Sequence, residues 1–203
     1  MTEQQLPDAF VGIDPGAKGG LSIIDRNEKV LYCDAIPYVG EDLDARRFAT
    51  ILSHYKKRYN LFAAFEKVGA MPGQGVCAMF SFGKTTGQLL ATLKILAIPY
   101  TEPTPTAWKE VVLVGLPWKA DTAKYKNDKT VSKEENERLK AEFKKANSAK
   151  NSKAKKDAKL VSCQYVFKRF PNINIMRGKN PHDGMAESLC LAVFARYDRL
   201  PSR

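Results

Sequence analysis

Apolar positions fall in short runs near the start of the chain and in helical periods after them. Residues 9–13 (AFVGI) form an apolar run that stops at Asp14-Pro15-Gly16, which predicts a strand with Asp14 at its carboxyl end. Residues 21–24 predict a second strand and 29–36 a third, spaced closely enough to be antiparallel hairpin neighbours. Phe48, Ile51, Leu52 and Tyr55 recur at i, i+3, i+4 and i+7, which predicts a helix over about 43–59. Residues 61–65 (LFAAF) are nearly continuous in apolar character, as in a central strand covered on both faces, and end at Glu66. Three glycines and a proline make 69–75 a loop. The helical period then runs over about 76–96, where Gly83 and Gly87 would permit close backbone approach. A strand over 98–102 is closed by Pro103 and Pro105, and Trp108-Lys109 and a short apolar stretch follow. Helices are predicted over 160–170 and 181–200, the last with Met185, Leu189, Ala192 and Val193 on its apolar side, Asn180 as cap and Pro181 at its first position. The fold class is therefore α/β, one mixed five-stranded sheet with helices on both faces.

Composition sharpens this picture through charge. The 203 residues carry 33 Lys+Arg against 22 Asp+Glu, a net +11. Such a balance suits a polyanionic partner, nucleic acid before a membrane surface, or serves solubility alone. Between residues 119 and 159 stand 14 Lys+Arg and 7 Asp+Glu, so this stretch holds +7 of the net charge. Its apolar residues are too sparse to bury a face. It reads as a basic insertion, at about 119–150, in a single domain spanning 1–203: a solvated basic arm or helical excursion that grips a polyanion, or an exposed Lys-rich linker. No apolar run reaches the ~20 residues of a membrane span, and the first residues lack a secretory pattern. Cys33, Cys77, Cys163 and Cys190 form no CxxC pair, and three of them (Cys33, Cys77 and Cys190) lie in apolar or helix-like contexts. Buried, reduced thiols and a cytoplasmic location are expected.

Four carboxylates carry the candidate chemistry. Asp14 and Glu66 each end a strand, and if those strands are parallel neighbours, both project at one sheet edge. Asp183 and Glu187, four apart on the last helix, share a face. Acids converging on one point repel one another unless cations lie between them. Mg²⁺ takes carboxylate, phosphate and water oxygens, and two such ions can activate water and stabilise the leaving oxygen of a phosphodiester. Each acid also has a plain structural reading: Asp14 as a turn residue, Glu66 as a partner of Lys67 or an arginine, Asp183 as a cap, Glu187 as an exposed residue.

The segments GIDPGAKGGLSII, FEKVGAMPGQGVCAMFSFGKTTG, PTAWK and HDGMAESLCLA resemble the RuvC-like Holliday junction resolvases of bacteriophages and plastids, a branch of the ribonuclease H-like superfamily. The resemblance implies a ribonuclease H-like fold and a homodimer that makes paired nicks in four-way junction DNA. It also implies two Mg²⁺ ions per site, with Mn²⁺ a possible substitute. Asp14, Glu66, Asp183 and Glu187 match the family's metal-binding acids, and Lys109 matches a lysine near the scissile phosphate. His182 would touch the phosphate or position water, or would only start a helix. Lys18, Lys67, Met71, Gln74, Lys84, Lys109, Lys119, Lys155 and Lys156 are expected to contact DNA. The aromatic wedge that some members carry three residues after the second acid is here Gly69. Met71, Phe80 or Phe82 would take its place, unless the phenylalanines belong to the core. The same chemistry would also serve a ribonuclease H-like enzyme acting on RNA–DNA hybrids, flaps or branched DNA. A non-catalytic DNA-binding module is the third reading.

Overall fold

The computed structural model describes residues 5–69 and 75–200. Met71 and Gln74 lie outside the described residues. In chain order the elements are β1 (Asp8–Asp14), β2 (Gly20–Asp25), β3 (Val30–Ala35), β4 (Tyr38–Val39), β5 (Asp42–Leu43), α1 (Ala45–Lys56), β6 (Asn60–Phe65), α2 (Val76–Ile95) and β7 (Tyr100–Thr101). There follow α3 (Pro105–Val112), α4 (Lys133–Ala146), α5 (Ser148–Arg169), β8 (Met176–Arg177), β9 (Asn180–Pro181) and α6 (Asp183–Arg199). The chain forms two compact units, one of Met1–Val114 with Ser162–Arg203 and one of Gly115–Val161.

The larger unit is built on a five-stranded sheet in the order β3-β2-β1-β6-β7. β1 and β2, and β2 and β3, pair antiparallel, whereas β6 runs parallel to both β1 and β7. Alternation along β1 and β6 sends Ala9, Val11, Ile13, Leu61, Ala63 and Phe65 to one face. There they pack with Phe48 and Leu52 of α1 and Leu89 and Leu93 of α2 in one buried cluster. The other face receives α6, whose Met185, Leu189, Ala192 and Val193 are all buried.

Helix α6 lies unusually close to the sheet because glycines make room for it. A Cβ on Gly12 of β1 would stand 1.9 Å from the Ser188 carbonyl oxygen, and one on Gly184 would stand 2.0 Å from the Lys18 carbonyl oxygen. A buried hydrogen bond of 2.6 Å between the hydroxyls of Ser22 and Ser188 fixes the same contact.

Several sequence expectations change. The last helix starts at Asp183, not Pro181, because His182 caps it while Asn180 and Pro181 pair with β8. Trp108 and Lys109 belong to a short helix, capped by Thr104 and with Pro105 in its first turn. Among the described residues Gly83 and Gly87 meet nothing within 4 Å, so they serve no close approach there. Phe80 is 76% exposed and is not a core residue. With Val76, Gly83, Gly87 and Ala91 it forms an exposed apolar and small-residue stripe along α2. Cys163 and Cys190 are buried, but Cys77, on the first turn of α2, is exposed.

The smaller unit is held by amides and aromatic rings. The Ala123 backbone N–H donates to the Asn151 side chain (2.8 Å), whose amide donates back to the Ala123 carbonyl (3.3 Å). Asn136 receives the Asp128 N–H at 2.8 Å and donates to the Asp128 carbonyl. Tyr125 packs on Phe143 with ring centres 5.8 Å apart. α4 has no buried residue.

Candidate active site

Register decides where the acids fall. Ile13 of β1 pairs with Phe65 of β6, so Asp14 and Glu66 stand level on adjacent parallel strands. The Glu66 N–H donates to the Ile13 carbonyl at 3.0 Å, which extends the pairing up to the acid. The alternation that buries Ile13 and Phe65 against α1 and α2 turns the next residue of each strand toward α6. The first turns of α6, held down by the glycine contacts, bring Asp183 and Glu187 within electrostatic reach of Asp14.

The four acids influence one another directly. Burial holds the Asp14 carboxyl well above its ordinary range, and Glu66, Glu187 and Asp183 each push it further, against the pull of Lys109. The Glu66 carboxyl is also raised by burial, with a bond from Trp108 acting in the opposite direction. This centre concentrates negative charge in a desolvated position.

Helix α3 supplies its polar counterparts. Trp108 is fully buried, and its Nε1–H donates to Glu66 Oε1 at 2.8 Å. Lys109 Nζ donates to Glu187 Oε1 at 2.7 Å in a pair with both side chains more than four-fifths buried. One residue after the other, the helix reaches an acid of β6's end and an acid of α6. Sequence reasoning assigned Lys109 but gave Trp108 no role at the site. The available signal was chemical: a buried indole carries one donor that needs an acceptor, and Trp108 directly precedes a site lysine.

His182 is the N-cap of α6, and its Nδ1 accepts the Met185 N–H at 3.1 Å. This bond places the proton of the neutral ring on Nε2. The helix-start role is therefore real, and it leaves Nε2 for a second task.

The remaining predicted contacts are dispersed. Lys18, in the loop after Asp14, is exposed, and so is Lys67, whose backbone N–H is tied to the Pro103 carbonyl at 2.8 Å. Lys84 pairs with Asp42 at 2.6 Å on the surface. Lys119, Lys155 and Lys156 are exposed and belong to the 115–161 unit.

The donor set, four carboxylates and no thiolate, suits a hard divalent cation. In the arrangement described, Trp108 and Lys109 each engage one acid oxygen, and among the described residues no three acid, His or Cys side chains stand ready-grouped around an ion position.

No protein-family model and no curated protein sequence matches the chain. Solved structures do. Thermus thermophilus RuvC in complex with a Holliday junction substrate superposes with a TM-score of 0.57 at 13% identity, over 96% of this chain and 96% of that one. A second Thermus thermophilus RuvC structure gives a TM-score of 0.50 at 14% identity, over 95% and 96%. The fold is the ribonuclease H-like α/β fold of RuvC.

Proposed function

We propose that the chain is a metal-dependent DNA endonuclease that cuts four-way junctions as a homodimer, with Asp14, Glu66, Asp183 and Glu187 as its acids. The observation that carries this reading is the level placement of Asp14 and Glu66 at adjacent strand ends, with Asp183 and Glu187 near enough to push the Asp14 carboxyl further up. Four mutually repelling, partly desolvated carboxylates are costly for a fold to keep unless cations hold them. Similarity of fold to a RuvC that was solved on a Holliday junction supports the choice of substrate.

The four acids would hold Mg²⁺, or Mn²⁺ in its place. Bound there, two such ions supply an activated water and charge stabilisation for the leaving oxygen. Lys109, paired with Glu187, would supply an ammonium for the scissile phosphate. His182 presents Nε2–H, a donor suited to a phosphate oxygen or a water. Trp108 fixes the orientation of Glu66 through its N–H.

The α2 stripe is the proposed dimer surface, since a four-way junction has two-fold symmetry that a two-fold dimer matches. Phe80→Asp is expected to convert a dimer to monomer by sedimentation at micromolar concentration; a wild-type monomer there removes the dimer from the proposal.

The deciding assay compares cleavage of an immobile four-way junction with linear duplex, flap and RNA–DNA hybrid, with and without Mg²⁺. Junction-selective, Mg²⁺-dependent nicking is expected, abolished by Asp14→Asn or Glu66→Gln with junction binding retained. Preference for hybrid or flap would assign a sibling nuclease activity, and no cleavage in Mg²⁺ or Mn²⁺ would leave a binding module.

A further inference from the structure

The basic character of the smaller unit is concentrated on one helix. α4 carries Lys133, Arg138, Lys140, Lys144 and Lys145 but also Glu134, Glu135, Glu137 and Glu142, and Arg138 pairs with Glu135 at 2.7 Å. Its charges nearly cancel. The first part of α5, residues 148–161, carries Lys150, Lys153, Lys155, Lys156 and Lys159, with Asp157 as its one acid. All five lysines are exposed, whereas Asn151, Ala154 and Ala158 are half-buried. Those three, spaced i, i+3 and i+7, form the inner face of the helix, and the lysines take up the rest of its circumference.

The unit is organised to present this face. Asn151 is bonded in both directions to Ala123, which fixes the rotation of the helix about its axis. The Asn136 bonds and the Tyr125–Phe143 contact hold the preceding segment and α4. A charged linker kept for solubility needs no such fixed rotation, nor a balanced helix followed by a helical stretch with five lysines and a single acid.

We propose that the lysine face of α5 is a sequence-neutral grip for the phosphate backbone of duplex DNA, additional to the acid centre. Residues 150–159 cover ~14 Å of helix axis, a span over which B-form DNA presents about eight phosphates. Lysine ammoniums on flexible stems suit contacts that carry no base information. A membrane surface fits less well, since the face opposite the lysines offers Asn and Ala, not the large apolar residues of interfacial helices. The choice of DNA as polyanion rests on the nuclease reading; the grip itself rests on the charge layout.

The test uses the full chain and measures the affinity of a 30-base-pair duplex and of a four-way junction across a salt series. Replacing Lys150, Lys153, Lys155 and Lys156 together by Gln is expected to lower affinity for both DNAs by ~10–100-fold at low salt. The slope of log K against log salt should fall by about one per lysine that contacts phosphate. A matched variant of α4, with Lys133, Lys140, Lys144 and Lys145 changed to Gln, removes the same charge and should shift both quantities far less. Equal losses in the two variants would mean a net-charge effect and overturn the grip. Unchanged affinity and slope in the α5 variant would overturn it too, as would lysine-dependent binding to anionic vesicles with none to DNA. If the wild type cuts junctions and the α5 variant binds normally, only the grip fails. If DNA binding depends on the α5 lysines but nothing is cut, the grip stands and the nuclease reading fails.

Discussion

Trp108 and Lys109 show how two neighbouring residues divide the support of an acidic centre. The indole N–H offers Glu66 a fixed, uncharged donor, whereas the Lys109 ammonium offers Glu187 a charged partner on a flexible stem. Trp108→Phe keeps most of the ring and removes the donor. It should weaken Mg²⁺ affinity, read by calorimetry, by roughly 10–100-fold, the range for loss of a partner that orients a ligand. Equal Mg²⁺ affinity in the variant would reduce Trp108 to core packing. Asp14 allows a test through stability. Because its folded-state pKa is raised, the protonated form is favoured on folding. That contribution is complete below the unfolded pKa and is lost as pH rises through the folded one. Metal-free Asp14→Asn should therefore melt above the wild type at pH 7. The gap should close as pH falls through the carboxylate range and Asp14 takes up its proton. A gap of the same size at every pH would show that charge is not its cause.

At the level of elements, the placement of α6 depends on residues without side chains. Gly184→Ala would drive a methyl group into the Lys18 carbonyl, a backbone atom that cannot turn aside. Overpacking of this kind costs ~1–3 kcal/mol, so a fall of about 3–10 °C in Tm is expected, together with lost cleavage as Asp183 and Glu187 move away from Asp14. A Tm equal to the wild type's would show that the helix can shift at no cost. The strands that hold Asp14 and Glu66 were legible in the sequence because each is an apolar run cut off by an acid. That Asp183 and Glu187 lie four apart on one helix was legible from its spacing. The start of α6 was misread because Asn-Pro imitates a cap and first turn, while His182, a less common cap, performs that role. α3 escaped notice because eight residues give too little periodicity to see. The exposure of Phe80 could not be inferred, since a stripe of small residues reads alike whether it meets its own chain or another.

Across the whole molecule, the two compact units differ in how they are held together. The larger buries apolar side chains on both faces of a sheet, and so leaves a hydrophobic signature in the sequence. The smaller is held by Asn side chains bonded to backbone and by an aromatic contact, which leave little hydrophobic pattern, so a helical excursion was legible there but the bounds of its helices were not. Asn151→Ala is expected to loosen α5 and raise amide exchange in 115–130 without altering exchange in β1 or β6. Protection changing in both places would mean that the units do not fold independently. The level pairing of β1 and β6 bears on which length changes such a chain can survive. One extra residue inside 60–66 would reverse the inside–outside order of the strand and aim Glu66 into the oily layer beneath the sheet. An insertion between 115 and 132 would leave that parity untouched. Variation in chain length should therefore collect in the smaller unit and be almost forbidden in the six-residue strand.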